Sequence, residues 1–390
     1  KAGEINSSLE LKIYNLASEK TNSVDLSINT NDYYYIPRLK FSSFSNKLYI
    51  QSLNRLQNTL TLSTYDLGSG KIKKIFSEKD ETYVDVQEKL FLLDDENFFW
   101  VSDRSGFNHI YLVQNDGKSL KQITSGNWDV AKLLGFNNTT IYYSSSEDNS
   151  TERVIYRIGI NGKNKKAISP KVGFNGASFT SNYKYFIHTF EDKDTPLIYS
   201  LRDSKNGKLI RKILDNKALL EKLSPFNLSY KDISKITINN LEFNMWMIKP
   251  NNFNPKKKYP LLIYQYSGPG SQEVENRWSS NRDLWHQMLA QKGYVIACLD
   301  GRGTGFKGKK FKKITYGQLA KYETEDQISF AKYLSKFPYI DKNRIGIWGW
   351  SYGGLISTNC ILKGNEIFSL AIAVAPVTNW RFYDTIYTER

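Results

Sequence analysis

The sequence predicts a run of β-propeller blades followed by an α/β domain built on a largely parallel sheet. Three observations predict it: a repeat of about 45 residues in the first half, a change of texture after residue 225, and a glycine-flanked serine between an apolar strand and a helix near residue 351. At 390 residues the chain exceeds one ordinary core, so two domains are expected. Residues 1–225 form the propeller part and residues 226–390 the α/β part.

The repeat comes first. "KIYNLASEKT" (12–21), "STYDLGSGKI" (63–72), "HIYLVQNDGKS" (109–119), "VIYRIGINGKN" (154–164) and "LIYSLRDSKNGK" (197–208) share one plan. Each has a β-former, a tyrosine, an alternating strand, a polar turn and a lysine that leads into the next strand. The tyrosines, Tyr14, Tyr65, Tyr111, Tyr156 and Tyr199, are spaced 51, 46, 45 and 43 residues apart. The last four repeats carry glycine immediately before the lysine, the residue that accepts the positive φ of a tight hairpin. The remainder of each unit accommodates further strands, such as "LFLLDDENFFWVSD" (90–103) and "TIYYSSSEDN" (140–149). This is the period of propeller blades, about five of them. A β-sandwich would need the five in-phase matches by coincidence. The aromatic content of 14% suits strands as well.

Composition narrows the function classes. Net charge is +15, but the lysines are scattered over polar segments. The densest run, "KGKKFKK" (307–313), is one local patch, so the charge reads as solvated surface and not as a nucleic-acid footprint. The two cysteines, Cys298 and Cys360, sit in apolar runs and read as buried thiols. Three isolated histidines give no metal-ligand spacing, and no cofactor is implied. No apolar run reaches 18 residues, so no membrane span is expected. "KAGEINSSLELKIY" is not a signal peptide. It opens almost directly into a strand, as a chain that starts in mid-fold would.

After residue 225, strand-like runs alternate with helical ones. "LLIYQYSG" (261–268), "YVIACLD" (294–300), "RIGIWGW" (344–350) and "LAIAVAP" (370–376) read as buried strands. "WHQMLAQKG" (285–293) reads as a helix ending at Gly293. "TEDQISFAKYLSKF" (324–337) reads as a helix with a capping box of Thr324 and Gln327, and a core face of Ile328, Ala331, Leu334 and Phe337. Continuous apolar strands between helices mean a parallel sheet covered on both faces. "GTGFKGKK" (303–310) nearly matches a phosphate-binding loop. Lys310 stands where a magnesium-binding hydroxyl is needed, so the stretch reads as a turn-rich loop with surface lysines.

The chemistry centres on "IGIWGWSYGG" (345–354). Gly349, Trp350, Ser351, Tyr352 and Gly353 fill the pattern G-x-S-x-G, with a strand before and a helix after. Such a nucleophile elbow raises the serine hydroxyl above the sheet and turns the Tyr352 N–H toward the oxyanion that forms. The second domain therefore reads as an α/β-hydrolase.

These residues carry a resemblance. "KNRIGIWGWSYGG", "LDGRGTG", "YPLLIYQYSGPGSQ" and "SDRSGFNHIYL" (102–112) resemble the prolyl oligopeptidase family, and "APVTNWRFYDTIYTER" (375–390) is similar to its dipeptidyl peptidase IV branch. The likeness covers essentially the whole chain. It implies a serine exopeptidase that releases X-Pro or X-Ala dipeptides from peptide N-termini through an acyl-enzyme on Ser351. Tyr266 would donate its phenol to the oxyanion beside Tyr352. Trp380, Tyr383 and Tyr387 would wall a flat pocket for the proline ring, with Val377 at its edge. Without the resemblance, Tyr266 and these aromatics read equally as core. The family is commonly dimeric.

A base is missing from this list. In α/β-hydrolases the order is Ser, then Asp or Glu, then His, yet His109, His188 and His286 all precede Ser351. The chain is therefore expected to be a fragment, with the Asp and His of the triad beyond Arg390 and the acidic anchor for the substrate amine before Lys1. By itself it is expected to hydrolyse nothing appreciable. Two alternatives remain open: a tripeptidyl or broader oligopeptidase register, and an inactive propeller that docks partners. Against the latter, the elbow and Tyr266 are intact. One departure from the family stands at Ala320, where glycine is usual, and it bears on the following helix start. The lysine-, asparagine- and tyrosine-rich composition looks bacterial, implying a periplasmic or surface location.

Overall fold

The computed structural model describes residues 1–26, 34–114, 117–278 and 281–390. The chain forms two compact units, Lys1–Ser125 with Asn379–Arg390, and Gly126–Thr378. Among the described residues, four antiparallel four-stranded meanders follow one another, over residues 35–79, 91–122, 130–167 and 174–214. A two-stranded sheet, Leu11–Asn15 with Lys20–Val24, precedes them. The five-blade expectation thus resolves into four full meanders and one hairpin.

The repeat has a structural address. Tyr65, Tyr111, Tyr156 and Tyr199 all lie on the third strand of their meander, in Thr59–Asp66, His109–Gln114, Val154–Gly159 and Ile198–Asp203. The lysine that closes each repeat follows a residue in the left-handed region: Gly70, Gly117, Gly162 and Gly207 have φ of 69°, 86°, 83° and 76°. In the first repeat Glu19 takes that position at φ 54°. Asn115 and Asp116 of the third hairpin turn lie outside the described residues. Cross-strand aromatic packing supports the sheets: Tyr143 faces Tyr156 with ring centroids 5.6 Å apart. The first two meanders share one apolar core that includes Tyr49, Leu62, Phe76, Phe98 and Trp100.

Within the second unit, one six-stranded sheet runs in the spatial order Asp232–Ile238, Leu241–Ile248, Val295–Asp300, Tyr259–Tyr264, Ile340–Trp350, Leu370–Val374. The first two joins are antiparallel and the last three parallel, so the sheet is largely parallel. Val295–Asp300 is buried at every residue, as its unbroken apolar run requires. Cys298 and Cys360 are buried thiols outside any disulfide, and burial pushes the Cys360 thiol up to about 12.

Two helix details differ from expectation. The helix over 324–337 runs from Tyr322 to Leu334, capped at Lys321 without a side-chain bond. Thr324 lies inside it and donates back to the Ala320 carbonyl at 2.6 Å, while Gln327 donates to the Leu299 carbonyl at 3.1 Å; there is no capping box. The buried face holds Glu323, Thr324, Asp326 and Gln327 with Phe330, Ala331 and Leu334, whereas Ile328 and Phe337 are only half-buried. Polar side chains occupy this face because they serve the loops at the strand ends. Among the described residues, no helix is long and apolar enough to cross a membrane.

Candidate active site

The strand Ile340–Trp350 passes into the helix Tyr352–Lys363 through Ser351 alone, at φ 57° and ψ −111°. This conformation is costly for a residue with a Cβ, on the order of 1–3 kcal/mol. The surroundings enforce it. The Ser351 N–H donates to the Val374 carbonyl at 2.9 Å, and the Leu355 N–H donates to the Ser351 carbonyl at 3.1 Å to close the first helical turn. A Cβ on Gly349 or Gly353 would stand 2.4 or 2.5 Å from the Gln265 carbonyl oxygen, and one on Gly354 would stand 2.9 Å from the Val374 oxygen. The glycines are therefore required by the closeness of neighbouring strand ends. Gln265 completes the seam by donating to the Gly353 carbonyl at 2.7 Å and to Ser357 Oγ at 3.1 Å.

Tyr352, the first helical residue, is buried, and its phenol donates to Glu323 Oε1 at 2.5 Å while accepting the Ala320 N–H at 3.0 Å. Burial raises the Glu323 carboxyl, and the Tyr352 phenol pulls the other way. Backbone N–H groups at such a helix start point out of its end, which aims the Tyr352 N–H away from the helix body. Ala320 holds φ 67°, the left-handed geometry that the family's glycine would adopt without strain.

Tyr266 is half-buried, with its ring centroid 6.3 Å from that of Tyr352. Its ring lies over Gly268, where a Cβ would meet it at 2.5 Å. The loop that follows is zipped to residues 301–305: the Gly270 N–H donates to the Gly303 carbonyl and the Gly305 N–H to the Ser271 carbonyl, both at 2.8 Å. This pairing explains "GTGFKGKK". The Gly303 and Gly305 N–H groups bond backbone carbonyls, and the Gly308 N–H donates to the Asp129 carboxylate at 3.0 Å. The loop is not a display of surface lysines. Lys313 is buried, Lys307, Lys309 and Lys312 are half-buried, and only Lys310 of the five lysines is exposed. Arg302, in the same loop, grips the buried Asp326 through Nε at 3.0 Å and Nη2 at 2.7 Å. Burial nevertheless raises the Asp326 carboxyl, with Arg302 opposing.

The histidines are engaged elsewhere. His109 Nδ1 lies 3.1 Å from Thr124 Oγ1. His188 Nε2 lies 2.8 Å from Asn175 Oδ1, and burial with the neighbouring Arg202 holds it neutral, down to about 3. His286 packs among Trp246, Tyr264, Trp285 and Trp348. Among the described residues, no group of three His, Cys, Asp or Glu side chains is arranged to hold a metal ion.

The predicted aromatics form a cluster in the other compact unit. Trp380 lies 6.1 Å from Tyr383 and 5.9 Å from Tyr387, and the two tyrosines are 5.5 Å apart. Two short capped turns set them. Asn379 accepts the Arg381 N–H at 3.0 Å, and Asp384 accepts the Tyr387 N–H at 2.8 Å. The segment is tied down where Arg55 pairs with Glu389 at 2.8 Å and Gln57 donates to the Ile386 carbonyl at 2.6 Å. Val377 is half-buried, three residues past the edge strand Leu370–Val374. Sequence reasoning passed over Gln265 and Glu323. A glutamine one place before Tyr266 and an acid on a helix's apolar face were the available signals.

Propeller blades joined to an α/β sheet with a strained serine at a strand-to-helix elbow define a class, the serine hydrolases that carry a propeller. Comparison with known proteins narrows it. Residues 1–197 match the model of the dipeptidyl peptidase IV N-terminal region, and residues 280–390 match that of the prolyl oligopeptidase family. A probable dipeptidyl peptidase 4 of Aspergillus flavus is 31% identical over 100% of this chain and 52% of its own length. The dipeptidyl peptidase 4 of Arthroderma otae is 32% identical over 99% and 51%. The crystal structure of Porphyromonas gingivalis dipeptidyl peptidase 4 superposes with a TM-score of 0.94 at 43% identity, covering all of this chain and 55% of that one. The chain belongs to the prolyl oligopeptidase family, in its dipeptidyl peptidase IV branch. It spans about half the length of the curated relatives it matches.

Proposed function

We propose that this chain carries the nucleophile of a serine exopeptidase that releases X-Pro and X-Ala dipeptides from peptide N-termini. The observation that carries the reading is Ser351 at φ 57° on a strand-to-helix elbow, with Tyr266 and Tyr352 beside each other. In this reading Ser351 Oγ attacks the carbonyl carbon of the substrate's second residue. A base takes the hydroxyl proton, and the Tyr352 N–H with the Tyr266 phenol stabilises the oxyanion. Collapse of the adduct breaks the C–N bond, the proton passes to the leaving amine, and water then hydrolyses the acyl-enzyme. The proton acceptor is taken to lie outside residues 1–390.

Trp380, Tyr383 and Tyr387 are assigned to the walls of the proline pocket and Val377 to its edge. Their support is the family pattern and their mutual packing, since flat rings suit a rigid apolar five-membered ring. The same reading keeps 1–225 and 226–390 as the two domains, because the meanders give way to an α/β pattern after Leu209–Leu214. It also includes a homodimer, on the family pattern, and a periplasmic or surface location, on composition. Gel filtration and cell fractionation test these.

The main test uses the full-length gene product with Gly-Pro and Gly-Ala-Pro chromogenic substrates. Turnover of Gly-Pro with little of Gly-Ala-Pro is expected. The reverse preference would replace the dipeptidyl register by a tripeptidyl one, and no turnover of either would refute the assignment.

A further inference from the structure

Arg153 stands at the start of a blade strand, Val154–Gly159, yet it is 3% exposed and faces the α/β part of its own compact unit. Its guanidinium donates through Nη1 to the Ser150 and Glu152 carbonyls at 3.1 and 2.7 Å. Through Nη2 it donates to Gln272 Oε1 and pairs with Glu275 at 3.7 Å. Its plane lies over Phe306, 3.5 Å from the ring centroid. Gln272 and Glu275 follow the Tyr266 loop, and Phe306 ends the loop zipped to it. One side chain therefore ties together a blade turn, the segment that follows the Tyr266 loop and the loop zipped to it.

The attachment is continuous. Gln272 Nε2 donates to the Ser150 carbonyl at 2.9 Å, and the Asn276 N–H donates to the Thr151 carbonyl at 2.9 Å. Between them, the Glu273 and Val274 N–H groups both donate to Asp300 at 2.9 Å. Phe306 holds φ 63°, a conformation that an aromatic residue adopts only when its surroundings demand it. Burying a guanidinium is expensive, and an apolar side chain of similar volume would often be more stable in such a place. What the guanidinium offers instead is a rigid planar fork that can hydrogen-bond and stack at once. Its retention fits a demand for geometry.

We infer that Arg153 is a positioning residue for Tyr266: by holding Gln272, Glu275 and Phe306 in one arrangement, it fixes the loop from which Tyr266 donates to the oxyanion. This rests on the reading of Tyr266 under the proposed function. Removing one oxyanion donor typically lowers kcat by about 100- to 1000-fold, and loosening its support costs a fraction of that.

The test is a double-mutant cycle in the full-length enzyme on a Gly-Pro chromogenic substrate, with kcat counted per fluorophosphonate-titrated site so that misfolded molecules drop out. Tyr266→Phe is expected to lower kcat about 100-fold. Arg153→Gln is expected to lower it about tenfold with KM within twofold, since Tyr266 acts in the transition state. Combined with Tyr266→Phe, it should add nothing further. Should Arg153→Gln fail to fold, Phe306→Leu keeps the cation and its pairs but removes the stacked ring. It should lower kcat several-fold with the same lack of additivity. Losses that multiply fully with Tyr266→Phe, or an unchanged kcat per site, would overturn the inference while wild-type turnover leaves the parent reading standing. Absence of wild-type turnover would sink both.

Discussion

In the blade hairpins, Gly70, Gly117, Gly162 and Gly207 take φ between 69° and 86°. At the elbow the glycines are not the residues in that region. Gly349, Gly353 and Gly354 keep ordinary φ, and Ser351 itself sits at 57°. The two regions use one residue type for different reasons. A hairpin gives the left-handed position to glycine because nothing else is asked of it. The elbow gives that position to a side chain with work to do, and spends its glycines on the approach of neighbouring backbone. In these four hairpins glycine thus avoids the strain that Ser351 accepts where chemistry is proposed, while the first hairpin, with Glu19 at φ 54°, carries it as well.

Substitutions can break this contrast. The largest effect is expected from Gly353→Ala, whose Cβ would stand 2.5 Å from the Gln265 oxygen. About 1–3 kcal/mol of stability should be lost, and displacement of the elbow should lower turnover by about 100-fold. Thermal unfolding and kcat of the full-length enzyme measure both.

Next comes pH. Burial raises Asp300 to about 7 from the 3.8 of a free carboxyl. Between those values the folded chain binds a proton that the unfolded chain has released, so stability should fall as pH rises through that window. The slope for one group is at most about 1.4 kcal/mol per pH unit. Denaturant melts at pH 5, 6 and 7 should show a shallower slope for Asp300→Asn, and an identical slope would remove Asp300 from the account.

Gly70→Ala should be milder than the elbow change, because its Cβ would come no nearer than 3.7 Å to any neighbour and only its φ of 69° objects. About 1 kcal/mol is expected. The smallest effect has the opposite sign. Ala320→Gly relieves a φ of 67° and should stabilise by about 0.5 kcal/mol, the strain of about 1–2 less the entropy that glycine returns to the unfolded chain.

Much of this was legible in the sequence, for physical reasons. The blade tyrosines could be found because each hairpin repeats the same turn chemistry at the same register. Ser351 could be found because the elbow's packing tolerates so few residue types around it. The core face of the helix Tyr322–Leu334 could be found only in part: Ala331 and Leu334 are buried as expected, but its polar members were missed. Its buried Glu323, Asp326 and Gln327 mimic a polar face, and they are buried because Tyr352, Arg302 and the Leu299 carbonyl meet them. The lysines of 307–313 misled in the same way, since a basic run reads as solvated, yet the fold buries Lys313. Arg153 gave no signal either. Its side-chain partners Gln272, Glu275 and Phe306 lie more than a hundred residues away in sequence, and no local pattern announces a long-range clamp.

The central claim is that Ser351 is a nucleophile held in a strained elbow. A biotinylated fluorophosphonate applied to the full-length protein, followed by peptide mapping, tests it most directly. A single adduct on Ser351, absent from Ser351→Ala and accompanied by loss of Gly-Pro hydrolysis in that variant, is the expected result. Labelling at another residue, or undiminished hydrolysis by Ser351→Ala, would contradict the account.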